Sequence, residues 1–181
     1  MTGRAATGVW VFASVLAVAA AAGGIYYSRT GSPAVTSALW RETGWPLARD
    51  QYPAGKAYEC TSGDCQGIRV TFRAKIGFCN CATGVSDDEE LERVGDLDLV
   101  DTTIKPLQTG REIAVAHMKG RSRIYSARQV PAKFLSIAFN DRCDVIVATA
   151  TGADNAHAET QVINFLNSRT VVGWAERALG L

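Results

Sequence analysis

Hydrophobic and polar positions along the chain fall into three regimes. From Ala5 to Tyr27 the sequence is apolar and carries no charge. As a helix this run would rise about 34 Å, against about 30 Å for the core of a bilayer. Trp10 and Tyr26-Tyr27 stand near its two ends, where aromatic rings suit the lipid–water boundary, and Arg29 comes next. Residues 1–29 therefore read as an N-terminal membrane anchor, a single transmembrane helix. The competing reading is a signal peptide, with an apolar stretch from Val9 to Ala22 and Ala20-Ala21-Ala22 as a small-residue cleavage site. Arg4 on one flank and Arg29 and Arg41 on the other leave the positive-inside rule nearly balanced. Both devices commonly carry the C-terminal part of a chain across the membrane. The expected localisation is a single-pass membrane protein with its C-terminal domain outside the cytoplasm, on the periplasmic side.

Residues 30–55 form the second regime, a polar linker and a lead-in containing Trp40, Trp45, Pro46, Tyr52 and Pro53. These aromatics are expected to pack on the adjoining domain.

Residues 56–181 are the third regime, a domain of mixed periodicity. Ile68, Val70, Phe72, Ala74 and Ile76 alternate with Arg69, Thr71, Arg73 and Lys75, the period of a half-buried strand. One apolar face and one basic face predict an antiparallel sheet with a wet side, the cations being solvated. Ser86 and Glu89 have the spacing of a capping box at the start of a short helix ending before Gly95. Asp96-Leu97-Asp98-Leu99-Val100 then alternates like a strand or extended turn. Two hairpins come after it. Ile113–Met118 and Arg123–Ala127 flank a turn at Lys119-Gly120-Arg121-Ser122, and Phe134–Phe139 and Cys143–Ala150 flank Asn140-Asp141-Arg142. The β-branched run from Val145 to Thr149 reads as a central strand. Ala158, Val162, Phe165 and Leu166 share one helical face after a cap at Asp154 or Asn155. Val171, Trp174, Ala175, Ala178 and Leu179 share another after Thr170, with Gly180 as the stop. The expected fold is α+β: an antiparallel sheet of about five strands backed by two C-terminal helices, preceded by one N-terminal transmembrane helix.

Charge changes the picture by exclusion. Lys and Arg number 19 and Asp and Glu 18, a net charge of +1, so no basic excess points to nucleic acid. Acids crowd residues 86–101 and bases crowd 119–133, which suggests internal pairing or a protein-docking surface. The acidic stretch lacks the register of a calcium loop. No nucleophile elbow, phosphate loop, dinucleotide fingerprint or zinc-protease motif occurs. His117 and His157 read as a strand residue and a helix-start residue, so no catalytic residue is assigned.

Five cysteines carry the remaining chemistry: Cys60, Cys65, Cys79, Cys81 and Cys143. In an oxidising compartment they are disulfide candidates. Cys60 can close on Cys65 around Ser62-Gly63-Asp64, and Cys79 or Cys81 can reach Cys143, leaving one thiol over. A second reading makes Cys60, Cys65, Cys79 and Cys81 the ligands of zinc or copper, although neither pair has the C-x2-C spacing of common zinc knuckles. A third reading is thiol–disulfide chemistry at Cys79-Asn80-Cys81. The function expected is that of a membrane-anchored, disulfide-stapled accessory or binding protein. It would be non-catalytic and without a cofactor, docking a protein partner in a membrane complex. The alternative is a metal-handling or thiol-redox protein centred on Cys79 and Cys81.

Overall fold

The chain divides into two units, Met1–Ser32 and Pro33–Leu181. The computed structural model describes residues 39–128, 133–153 and 155–181, all in the second unit. The anchor reading of residues 1–29 lies outside the described residues. Among the described residues no helix is long and apolar enough to cross a membrane.

Eight strands form one antiparallel sheet: β1 (Trp40–Thr43), β2 (Lys56–Cys60), β3 (Arg69–Lys75), β4 (Ile104–Pro106), β5 (Arg111–Val115), β6 (Met118–Ala127), β7 (Lys133–Asp141) and β8 (Asp144–Thr151). Their order is β1-β2-β3-β8-β7-β6-β4, and β5 shares the outer edge of β6 with β4. The helices are α1 (Asp88–Val94), α2 (Leu97–Val100), α3 (Ala156–Leu166) and α4 (Arg169–Leu179). The α+β expectation holds, with an antiparallel sheet and two C-terminal helices. The sheet is wider than the expected five strands, because the short strands β1, β2 and β4 add to it. β1 lies inside the stretch read as lead-in, so the folded domain reaches back at least to Trp40.

Two layers cover the sheet. Val70 and Phe72 of β3, Ile146 and Ala148 of β8, and Leu135 and Ile137 of β7 pack against Val162 and Phe165 of α3 and Val171 and Ala175 of α4. Trp40 stacks on Phe165 with ring centroids 4.2 Å apart, in line with the packing expected of the lead-in aromatics. On the opposite face Leu91 and Val94 of α1 meet Ala138 of β7 and Val145 and Val147 of β8. Leu97 of α2 joins Tyr125 and Phe134.

Several local expectations are corrected. The start of α1 is capped by Asp87, whose side chain accepts from the Glu90 amide, rather than by Ser86. Residues 97–100 are helical, not extended. The turn of the first hairpin falls at Ala116-His117, with Ala116 at φ 53°, and β6 runs unbroken through Gly120. Gly120 belongs there because a Cβ would stand 2.0 Å from the Ala138 carbonyl oxygen. Ser168 rather than Thr170 caps α4, while Asn155 caps α3 and Gly180 ends α4 in the left-handed region at φ 75°.

Candidate docking end and cysteine centre

The basic face of β3 is the largest departure from expectation. Instead of facing water, Arg73 is 2% exposed and Lys75 4% exposed. Burying a guanidinium and an ammonium requires partners, and the chain supplies two carboxylates from distant segments. Arg73 donates from Nε and Nη2 to Asp96 at 2.8 and 2.6 Å, and from Nη1 and Nη2 to Asp50 at 2.7 Å each. Lys75 Nζ lies 2.8 Å from Asp96 Oδ1 and donates to the Val94 carbonyl at 2.7 Å. The Tyr52 ring stands 5.3 Å from the guanidinium and 5.0 Å from Nζ. Two cations thus meet two anions, and the cluster pins segment 44–55 onto the sheet. Arg73 holds the Asp50 carboxyl down at about 2 through its hydrogen bonds, against burial. These cations are neutralised internally and offer nothing to an anionic ligand.

The acidic and basic stretches also pair with each other. Arg121 Nε donates to Asp88 at 2.5 Å, and Arg123 Nη1 donates to Glu92 at 2.8 Å. Asp88 also accepts from the Gly110 amide. Burial pushes the Tyr125 hydroxyl up to about 12, with the Glu92 charge adding to it. Of the two readings of this charge asymmetry, internal pairing accounts for α1 against β6. Beneath Gly95, the buried Ser136 Oγ has no hydrogen-bond partner among the described residues.

The cysteines occupy both ends of β3. Cys60 and Cys65 form a disulfide beside the start of the strand, around the 3-10 turn Gly63–Cys65. Cys81 and Cys143 form a second disulfide beyond its far end, with Cα atoms 4.2 Å apart. Cys79 is a buried free thiol. Its Sγ donates to the Arg142 carbonyl at 3.2 Å, and its amide donates to the Cys143 carbonyl at 3.1 Å. Burial pushes this thiol upward, with Glu90 and Asp144 adding to the effect. The four residues of the metal reading are therefore split between two ends of a strand about 20 Å long. Among the described residues no group of three or more His, Cys, Asp or Glu is placed to hold a metal ion. His117 is exposed in the β5–β6 turn, and His157 on α3 lies 3.7 Å from Asp64.

One surface groove, of about 340 Å³ and lined mainly by apolar residues, lies at the far end of β3. Tyr52, Pro53, Ala74, Ile76, Trp174 and Ala178 line it. Ile76 closes the apolar row of β3 but is 61% exposed, so the alternation runs one residue past the edge of the core. Nothing in the sequence pattern signals this, because Pro53 and Trp174 meet Ile76 only in three dimensions.

No family model matches the chain, and no curated protein matches it. Among solved structures, the solution structure of cyanobacterial PsbP (CyanoP) from Synechocystis sp. PCC 6803 aligns with it at a TM-score of 0.39 and 10% identity, over 75% of this chain and 79% of that one.

Proposed function

We propose that the protein is a membrane-anchored, extracytoplasmic accessory protein whose disulfide-stapled domain docks another protein of a membrane complex. The observation that carries this reading is the pair of disulfides, Cys60–Cys65 and Cys81–Cys143. Structural disulfides persist in oxidising spaces and are rare in the cytosol. The uncharged run from Ala5 to Tyr27 supplies a means of reaching such a space while staying attached to the membrane.

The sheet supports a direction for docking. The chain enters the sheet at Trp40, which pairs with Cys60 near the start of β3, whereas Ile76 and its groove lie beyond the other end. The groove therefore lies at the end of β3 opposite the one beside Trp40. The exposed Ile76 and the apolar lining around it support this groove as the docking face. A photo-crosslinking residue placed at Ile76 in cells tests it. The reading expects one discrete crosslinked protein species, absent when the same residue replaces Glu112 on β5. Equal, diffuse crosslinking from both positions would contradict it.

A further inference from the structure

We propose that Cys79, Cys81 and Cys143 form a thiol–disulfide exchange centre that trades a buried thiol for an exposed one, with accessible disulfides as its substrate class. Cys143 stands between two cysteines. Cys81 is bonded to it across a Cα separation of 4.2 Å. Cys79 is tied to it by an amide-to-carbonyl bond of 3.1 Å. A direct backbone hydrogen bond keeps the two residues adjacent, and disulfides bridge Cα atoms up to about 7 Å apart. The Cys79 sulfur already lies against the carbonyl of Arg142, the residue before Cys143. Arg142 lies in the β7–β8 turn at φ 52°, and the disulfide to Cys81 and the amide bond from Cys79 both join Cys143 to the 77–85 segment.

The exchange balances without an outside oxidant. Cys79 loses its proton to solvent, and its thiolate attacks Cys143 Sγ. A Cys79–Cys143 bond forms, the Cys81–Cys143 bond breaks, and the electron pair leaves on Cys81 Sγ, which takes a proton from water. One disulfide and one thiol stand on each side. Exposure differs, since Cys79 is buried and Cys81 is exposed. Cys81 then loses its proton to solvent and its thiolate attacks an incoming disulfide, giving a mixed disulfide and releasing the other half as a thiolate that takes a proton from water. The groups around the attacking sulfur are Glu90 and Arg93 of α1 and Asp144 of β8. The isomer seen in the structure has Cys79 reduced, and burial with the two carboxylates disfavours its thiolate, which slows exchange.

Oxidised glutathione is the probe. Purified full-length protein is incubated with it at about pH 7 and about pH 9, quenched in acid, and its linkages are mapped without reduction. We expect glutathione on Cys81 together with a Cys79–Cys143 linkage. The yield at early times should rise by up to about tenfold per pH unit, following the thiolate fraction below its pKa. In Cys79→Ser, checked for an intact Cys60–Cys65 bond and an unchanged fold by circular dichroism, glutathione should no longer reach Cys81. Glutathione on Cys79 alone, no adduct at either pH, or an undiminished Cys81 adduct in Cys79→Ser would each overturn the proposal.

Discussion

Arg73 of β3 and Asp96, between α1 and α2, face each other through two hydrogen bonds of 2.8 and 2.6 Å, both residues almost wholly buried. The pair joins the sheet to the layer that covers it. Asp50, which completes the shell of Arg73, is itself 27% exposed. Removing Asp96 leaves Arg73 with Asp50 alone and takes from buried Lys75 the carboxylate that it contacts, at a cost of about 3–5 kcal/mol. Asp96→Ala is therefore expected to destabilise by that amount in urea unfolding. Asp50→Ala should cost less than half as much, because water can reach the vacated side. Equal costs would show that the two carboxylates do not differ in environment.

Acid should loosen the same cluster. The Asp50 carboxyl sits at about 2 in the folded protein against an ordinary 3.8. A depressed carboxylate stabilises the fold above its unfolded value, and that contribution is lost as pH falls through the folded value. Asp88 and Glu90 are lowered too, in the same sense. Melting temperature should fall between about pH 4 and about pH 2, and the fall should be shallower in Asp50→Asn. Thermal denaturation across that window, monitored by circular dichroism, reads both.

The two disulfides should differ in weight. Their sequence separations are 5 and 62. In the chain-entropy picture, closing the short loop stabilises by about 2 kcal/mol and the long one by about 4 kcal/mol. Paired serine substitutions at Cys81 and Cys143 should lower stability roughly twice as far as those at Cys60 and Cys65, by chemical denaturation under non-reducing conditions.

Two glycines should respond with opposite signs. A Cβ at Gly120 would press into the Ala138 carbonyl and the Phe139 Cα, both backbone atoms that cannot step aside. Gly120→Ala should cost about 1–3 kcal/mol. At Gly173, inside α4, a Cβ would meet only the end of the flexible Arg177 side chain, at 3.4 Å. Gly173→Ala should stabilise by about 0.5–1 kcal/mol, because it removes freedom from the unfolded chain. Melting curves of the two variants separate these outcomes.

Legibility in the sequence tracks the range of the forces involved. β3, β8, α3 and α4 are readable because their apolar periods run long enough to repeat. β1 and β2 are not: Trp-Arg-Glu-Thr and Lys-Ala-Tyr-Glu-Cys are too short for a period to declare itself. Gly120 has the look of a turn and splits β6 in the sequence pattern, whereas it is a close-approach residue. The real turn rests on Ala116, a residue type that rarely takes a positive φ. The wet-face reading of Arg73 and Lys75 fails because the partners that permit burial are remote: Asp50 and Asp96 each lie 23 positions from Arg73. The acidic stretch at 86–101 is the available signal, and its Asp88, Glu92 and Asp96 neutralise β6 and β3 rather than furnishing a surface. The cysteine candidates are all visible in the sequence. The choice of Cys81 over Cys79 for Cys143 depends on how the 77–85 segment folds back, with the Asn80 side chain accepting from the Ala82 amide and the Gly84 amide donating to the Asn80 carbonyl. The groove at Ile76 joins β3, segment 44–55 and α4, three segments with no common sequence signal.

Protease added to intact spheroplasts tests extracytoplasmic residence most directly. The folded domain from Trp40 to Leu181 is predicted to be cut or released while a cytoplasmic marker in the same cells survives. Full protection of that domain, with digestion appearing only after the membrane is lysed, would contradict it.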